Sequence, residues 1–252
     1  MKKYSDAVDA TVLKYVETQT DVFHWSDYDL VYDSPDKSSS ATADQSEFIL
    51  EKMKASIGQA QTELFVLTPY FVLTKDEIQR FAEARARGVD VTVVTNSLAS
   101  NNHTAVHAKY GPMRKQLLEM GVNLYELRAY QDKPIDEKPN GGGRISTLHA
   151  KTFAVDRRSF FIGSFNWNQR STNRDTESGV IIHSPELATR FVTEVSAALP
   201  EASFRLSLDD SNDIVWTIVE NGQEVSTDKE PQTGAWKRFK AWFLRIAPRS
   251  QM

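Results

Sequence analysis

Residues 148–156 read LHAKTFAVD, setting His149 two places before Lys151 and seven before Asp156. Further along, Gly163, Ser164 and Asn166 stand in IGSFN, and Glu177 follows in DTESG. A lysine ammonium and an asparagine amide donate to the non-bridging oxygens of a phosphate. A histidine attacks phosphorus or protonates a leaving oxygen, and a carboxylate on its other ring nitrogen selects the tautomer that faces the substrate.

The elements that would carry these groups follow from parity. Side chains at i and i+2 of a strand share a face, so His149 and Lys151 project together, on the side of Phe153 and Val155. Asp156 has the opposite parity and takes a structural role, turning the chain with Arg157 and Arg158 or pairing with a basic group. Ser164 and Asn166 share parity at the end of the next strand, so Asn166 looks toward the same cleft, and Gly163 lets backbone pass closely. Glu177 opens one more strand. A second stretch, VHAKYGPMR, has His107 and Lys109 but places Arg114 where the aspartate would stand, and no GSxN follows it. It runs into a helix, where i and i+2 diverge. His107, with His103, is then a secondary substrate contact lining the cleft, or simply a polar residue ahead of a helix.

Residues 1–41 read as a linker that passes from an aromatic, extended run into Ser, Asp and Pro. Residues 42–199 alternate strand and helix: SEFILEKMKASIGQA helical, TELFVLTPYF a strand, Thr74 to Arg87 a helix stopped by Gly88, VDVTVVTN a β-branched strand. KYGPMRKQLLEMG is predicted as one helix with Pro112 near its start, and VNLYEL as a strand. The stretch from 129 to 146, with Pro and Gly-Gly-Gly, is a loop ending at the motif. SFFIGSFN and ESGVIIH are two further strands, followed by a helix with Ser184 as N-cap and Pro185 in its first turn. This pattern is an α/β fold, a mixed sheet flanked by helices. Residues 200–252 form a small hairpin and a helix carrying Trp236, Phe239, Phe243 and Ile246 as one stripe.

The bulk numbers narrow the function. With 252 residues and a net charge of −4, the chain lacks the basic field that binding to a nucleic-acid backbone needs, so nucleic acid is not the favoured partner. No cysteine means no thiolate nucleophile and no cysteine-ligated metal. No apolar run is long enough for a membrane span, and the first residues do not form a signal peptide. Any membrane association is therefore at the surface. The tail offers the means: its aromatic stripe is flanked by Lys237, Arg238, Lys240 and Arg245, which suits an anionic interface. The alternative is a helix docked on its own domain with a solvated basic face.

His149-x-Lys151-x4-Asp156, followed by IGSFNWNQRS and DTE, resembles the HKD motif of the phospholipase D superfamily, in its phosphatidyltransferase branch with the bacterial cardiolipin synthases. LVYDSPDK, LFVLTPYFV, GVDVTVVTNSLASNN, LLEMGVNLYEL and the ending AWFLRIAP resemble the C-terminal half of the C-type cardiolipin synthases. The resemblance implies a phospholipase D-like fold. It also implies His149 as the motif histidine, Lys151 and Asn166 as the phosphate-binding pair, and Glu177 as the carboxylate orienting the imidazole. Asp175 stands where the family often has Asn. A larger departure is that family members carry two HKD motifs and this chain carries one.

The implied reaction is a double displacement through a phosphohistidine, with a second histidine protonating the leaving alkoxide and then deprotonating the incoming alcohol. No metal or other cofactor is implied. The implied partners are phospholipids at the bacterial cytoplasmic membrane, bound peripherally, and a second HKD half. That half comes from the missing N-terminal part of a longer protein, from a split partner or from a homodimer; an inactive, lipid-binding chain is the remaining reading. The opening residues read like the middle of a two-motif protein and favour the first source.

Overall fold

The computed structural model describes residues 24–38, 49–137 and 145–246. In chain order the strands are β1 (Asp27–Tyr32), β2 (Glu63–Leu67), β3 (Asp90–Asn96), β4 (Asn123–Leu127), β5 (Thr152–Val155), β6 (Ser159–Gly163), β7 (Ser178–His183), β8 (Ser203–Leu208), β9 (Ile214–Glu220) and β10 (Gln223–Thr227). The helices are α1 (Ile49–Gly58), α2 (Lys75–Ala86), α3 (Thr104–Tyr110), α4 (Met113–Glu119), α5 (Gln169–Asn173), α6 (Pro185–Ala202) and α7 (Ala235–Phe243). All strands join one sheet in the order β1-β7-β6-β5-β2-β3-β4-β8-β9-β10.

β2, β3 and β4 are parallel, and their connections through α2 and through α3–α4 are the crossovers that parallel strands require. Alternation along the buried strands divides the core. Val66, Val93, Phe153 and Phe161 face α1, α2 and α4. Phe65, Val94, Ala154 and Phe160 face α6, which offers Ala188, Val192 and Leu199. The sheet is thus a mixed α/β layer whose central strands are covered on both faces, as the alternating pattern predicts, while the edge strand β1 stays largely exposed.

Local signals hold where the chemistry is local. Thr74 caps α2 in a capping box with Glu77, and Gly88 follows the helix at φ +87°. Ser184 accepts from the Leu187 amide at the start of α6, with Pro185 in the first turn. The predicted helix over KYGPMRKQLLEMG is instead two short ones, α3 and α4, because Pro112 has no amide proton to continue the ladder. The small hairpin expected after residue 200 is a three-strand meander that extends the main sheet from β4, with Phe204, Leu206, Trp216 and Ile218 in the main core. At the other end, the linker contributes β1, paired along its length with β7. Strands from all three expected segments therefore belong to one sheet. Phe48, in the stretch predicted helical, and the glycines of the 129–146 loop lie outside the described residues.

Asp156 shows how the motif aspartate serves the fold. Asp156 and Arg157 both take positive φ, 52° and 53°, in the tight turn between β5 and β6, the twist that such hairpins favour. The Asp156 carboxylate accepts from the amides of Thr62 at 2.7 Å, Glu63 at 2.9 Å and Gln61 at 3.0 Å, and from the Thr62 hydroxyl at 2.9 Å. It thereby ties the turn to the start of β2. These partners are three backbone amides and a hydroxyl; the neighbouring basic residue, Arg157, pairs with Glu63. Burial raises the Asp156 pKa, but the amides of Glu63, Thr62 and Gln61 outweigh it and hold the carboxyl below its ordinary value. Because the folded value lies below the unfolded one, the stabilisation is complete above the unfolded pKa of about 4 and is lost as pH falls through the folded value. We predict that Asp156→Ala costs about 1–3 kcal/mol at neutral pH. In urea titrations the gap from the wild type should close as pH is lowered below that range.

Candidate active site

Because β5 and β7 run against their neighbours, their N-terminal ends lie on the same edge of the sheet as the C-terminal ends of β1, β2, β3, β4 and β6. His149, Lys151, Gly163, Ser164, Asn166 and Glu177 are at this edge, whereas Asp156 lies at the opposite one, beside the start of β2. His149 and Lys151 precede β5 in an irregular segment rather than inside the strand. A buried side chain holds that segment: Asn96, at the end of β3, accepts from the Leu148 amide at 2.9 Å and donates to its carbonyl at 3.1 Å. The Thr147 hydroxyl donates to the Ser100 carbonyl at 3.0 Å, and the Gly163 amide donates to the Lys151 carbonyl at 3.1 Å.

His149 is exposed while Lys151 is buried. Lys151 Nζ lies 2.8 Å from the His149 carbonyl and 3.3 Å from its Nε2. An ammonium only donates, so this contact suits a neutral imidazole whose Nε2 carries the lone pair. Burial lowers the Lys151 pKa, and the Glu177 charge pulls it back toward the ordinary value. The ammonium is thus partly stripped of water and matched by one carboxylate, a state that an incoming phosphate would improve.

Glu177 is buried just ahead of β7, and its Oε2 accepts from the Ser164 hydroxyl. Among the described residues no hydrogen bond joins Glu177 to His149, so in this chain the carboxylate positions Ser164. The Asn166 amide makes one long bond, to the Ser164 carbonyl at 3.5 Å, and its Oδ1 is buried without a partner among the described residues. The side chain is half-buried, and its Nδ2, held only by that long bond, is the group with a donor to spare for a ligand oxygen. Gly163 faces Gly179 across the β6–β7 pair. A Cβ on Gly163 would meet the Phe161 ring and would come 2.6 Å from the Ser178 carbonyl. The close approach expected at Gly163 is thus real, and Gly179 shares it.

Two residues absent from the candidate set hold this arrangement together. Asp33, just past β1, accepts from the Glu177 amide at 2.9 Å, the Ile49 amide at 3.0 Å and Lys37 Nζ at 2.6 Å. Lys37 also donates to the Ser171 carbonyl at 2.7 Å, and the Ser171 hydroxyl accepts from the backbone N–H of Asn166 at 3.2 Å. Both side chains of the pair are fully buried. Their signal was the i, i+4 spacing in DSPDK, within a stretch that otherwise reads as a loop.

The remaining candidates separate. His107 is buried in α3, 2 % exposed, with Nε2 3.6 Å from Glu230 and its ring against Tyr110, so it does not line an open cleft. His103 stays exposed at the site edge, its ring 5.7 Å from that of Tyr70. Asp175 pairs with Arg170 at 2.9 Å. Lys237 and Arg238, expected at the membrane, turn inward to the carbonyls of Ala99 and Thr233. Trp236, Phe239 and Phe243 are exposed, and so is Lys240. Among the described residues no group of His, Cys, Asp and Glu side chains is arranged to hold a metal, and no helix is long and apolar enough to cross a membrane.

Fold and edge together define a phospholipase D-like α/β domain. The chain belongs to the family described as cardiolipin synthase, PLD-like domain, which matches residues 53–198. It is similar to cardiolipin synthase C of Escherichia coli, 31% identical over 256 residues, covering 97% of this chain and 54% of that protein. An uncharacterized protein of Helicobacter pylori is 26% identical over 266 residues, covering 100% of this chain and 48% of its own length. The chain therefore spans about half the length of these relatives. Among solved structures, phosphatidylserine synthase of Haemophilus influenzae shares the fold, with TM-score 0.51 and 16% identity over 71% of this chain and 39% of that one.

Removing one member of a buried pair leaves the other charge uncompensated. We predict that Lys37→Met costs about 3–5 kcal/mol. The double variant Asp33→Asn/Lys37→Met should lose less than the sum of the single losses in a urea-denaturation cycle.

Proposed function

We propose that this chain supplies one half of a phosphatidyltransferase site, transferring a phosphatidyl group between phospholipid alcohols to form cardiolipin. The observation that carries this reading is the exposed His149 with the buried Lys151 ammonium 3.3 Å from its Nε2, at an open edge. Lys151 and Asn166 would receive the non-bridging phosphate oxygens, and Glu177 with Ser164 would hold the rim.

In the first displacement one histidine attacks phosphorus, the bond to the leaving alkoxide breaks, and a second histidine gives that oxygen its proton. In the second, the same partner takes the proton of the acceptor hydroxyl, whose oxygen attacks phosphorus and breaks the P–N bond. Two histidines on opposite sides of phosphorus are needed. The sequence holds one HxK…D and spans about half of its relatives, which supports a second HKD half as the source of the other. Phosphatidylglycerol and phosphatidylethanolamine are the proposed donors, met at the surface of the bacterial cytoplasmic membrane.

The test supplies vesicles of these two lipids to the chain alone and to the chain with the N-terminal half of a two-motif relative. Cardiolipin is expected with the paired halves, undiminished by EDTA. His149→Ala should lower turnover by about a thousandfold or more, and Lys151→Met by about a hundredfold or more. Transfer that survives His149→Ala, or no cardiolipin from the folded, paired halves, overturns the proposal. Metal-independent cleavage of DNA by a dimer of the chain alone would replace it with a phosphodiesterase.

A further inference from the structure

α7 presents four exposed rings, Trp236 at 75 %, Phe239 at 52 %, Trp242 at 56 % and Phe243 at 60 %. Phe239 is the hub, with centroid distances of 5.7 Å to Trp236, 5.9 Å to Trp242 and 6.4 Å to Phe243. At 100° per residue these rings, with Lys240 at one rim, fill a single arc of the helix. The opposite arc holds Ala241, Lys237 and Arg238 and is turned to the protein. The usual pattern of a surface helix is thus inverted: cationic side chains fasten it down and aromatic ones face out.

From 234 to 246 the sequence has four basic residues and no acidic one, in a chain whose net charge is −4. Lys240 and Arg245 of these are exposed. The helix is also fastened beside the candidate site. Lys237 Nζ donates to the Ala99 carbonyl at 3.0 Å, and the next carbonyl, Ser100, accepts from Thr147, two residues before His149.

We infer that the ring face of α7 is an interfacial anchor that seats this edge of the molecule on an anionic phospholipid surface. Trp and Phe enter the headgroup boundary, and Lys240 and Arg245 meet the lipid phosphates. The choice of phospholipid as the anionic partner rests on the reading above; the docking is measured without turnover and stands or falls separately from catalysis.

The experiment is flotation of the full chain with vesicles of phosphatidylglycerol and phosphatidylethanolamine, and with vesicles of phosphatidylcholine alone. Binding to the anionic vesicles is expected to exceed binding to the neutral ones. Phe239→Ser/Trp242→Ser should keep the wild-type urea midpoint, since both rings are exposed, and should weaken binding by about tenfold or more. Trp236→Ser, a milder change, should weaken it in the same direction. Lys240→Gln should weaken binding to anionic vesicles by about fivefold and leave neutral ones unaffected. Ring variants that float like the wild type overturn the inference, as does a wild-type chain that ignores anionic vesicles. A concentration-dependent dimer abolished by Phe239→Ser/Trp242→Ser, without vesicle binding, assigns the face to self-association instead and overturns it too.

Discussion

The site edge rests on one buried carboxylate. Asp33 is held by Lys37 and accepts the amides of Ile49 and Glu177, so it joins the end of β1, the start of α1 and the start of β7. Two charges taken out of water repay their desolvation only when hydrogen bonds satisfy both. Here they are satisfied, and the satisfying groups belong to the segments that carry Glu177 and, through Ser171, Asn166. A shift in any of these segments would expose an unpaired charge, and that cost keeps the edge in one arrangement.

The neighbouring groups divide their work by solvent access. Lys151 is buried and partly matched by Glu177; His149 stands in solvent on a segment clamped by Asn96. A buried lysine and an accessible imidazole suit the proposed two-histidine site, in which the second histidine would approach from outside this chain. Glu177, bonded to Ser164, stabilises the rim and leaves the remaining nitrogen of His149 without a partner from this residue.

The tail shows electrostatics overriding composition. A basic, aromatic helix reads as one whose charges face out. In the fold, backbone carbonyls at Ala99 and Thr233 take up Lys237 and Arg238. Burial lowers the Lys237 pKa, with Lys240 nearby adding to the effect, so the tether is made at some cost in desolvation. The rings are left on the solvent side because the carbonyls lie on the other.

What the sequence determined by itself was local in origin. Close spacing put Lys151 beside His149, although both precede the strand that the parity argument assumed; Asp156 was legible as structural, and capping and β-branching located most strands and helices, because these effects act within a few residues. The helix around VHAKYGPMR also separated His107 from Lys109 as the period requires, although Pro112 split it. What the tertiary structure alone decided was long-range. Asp33 reaches Glu177 across 144 positions, and Asn96 reaches Leu148 across 52. The linker became a strand and the tail hairpin a sheet extension because open sheet edges elsewhere needed hydrogen-bond partners. Lys237 turned inward because an acceptor lay 138 positions away. Residue type limits which partners a side chain accepts; only the fold decides which of them is within 3 Å.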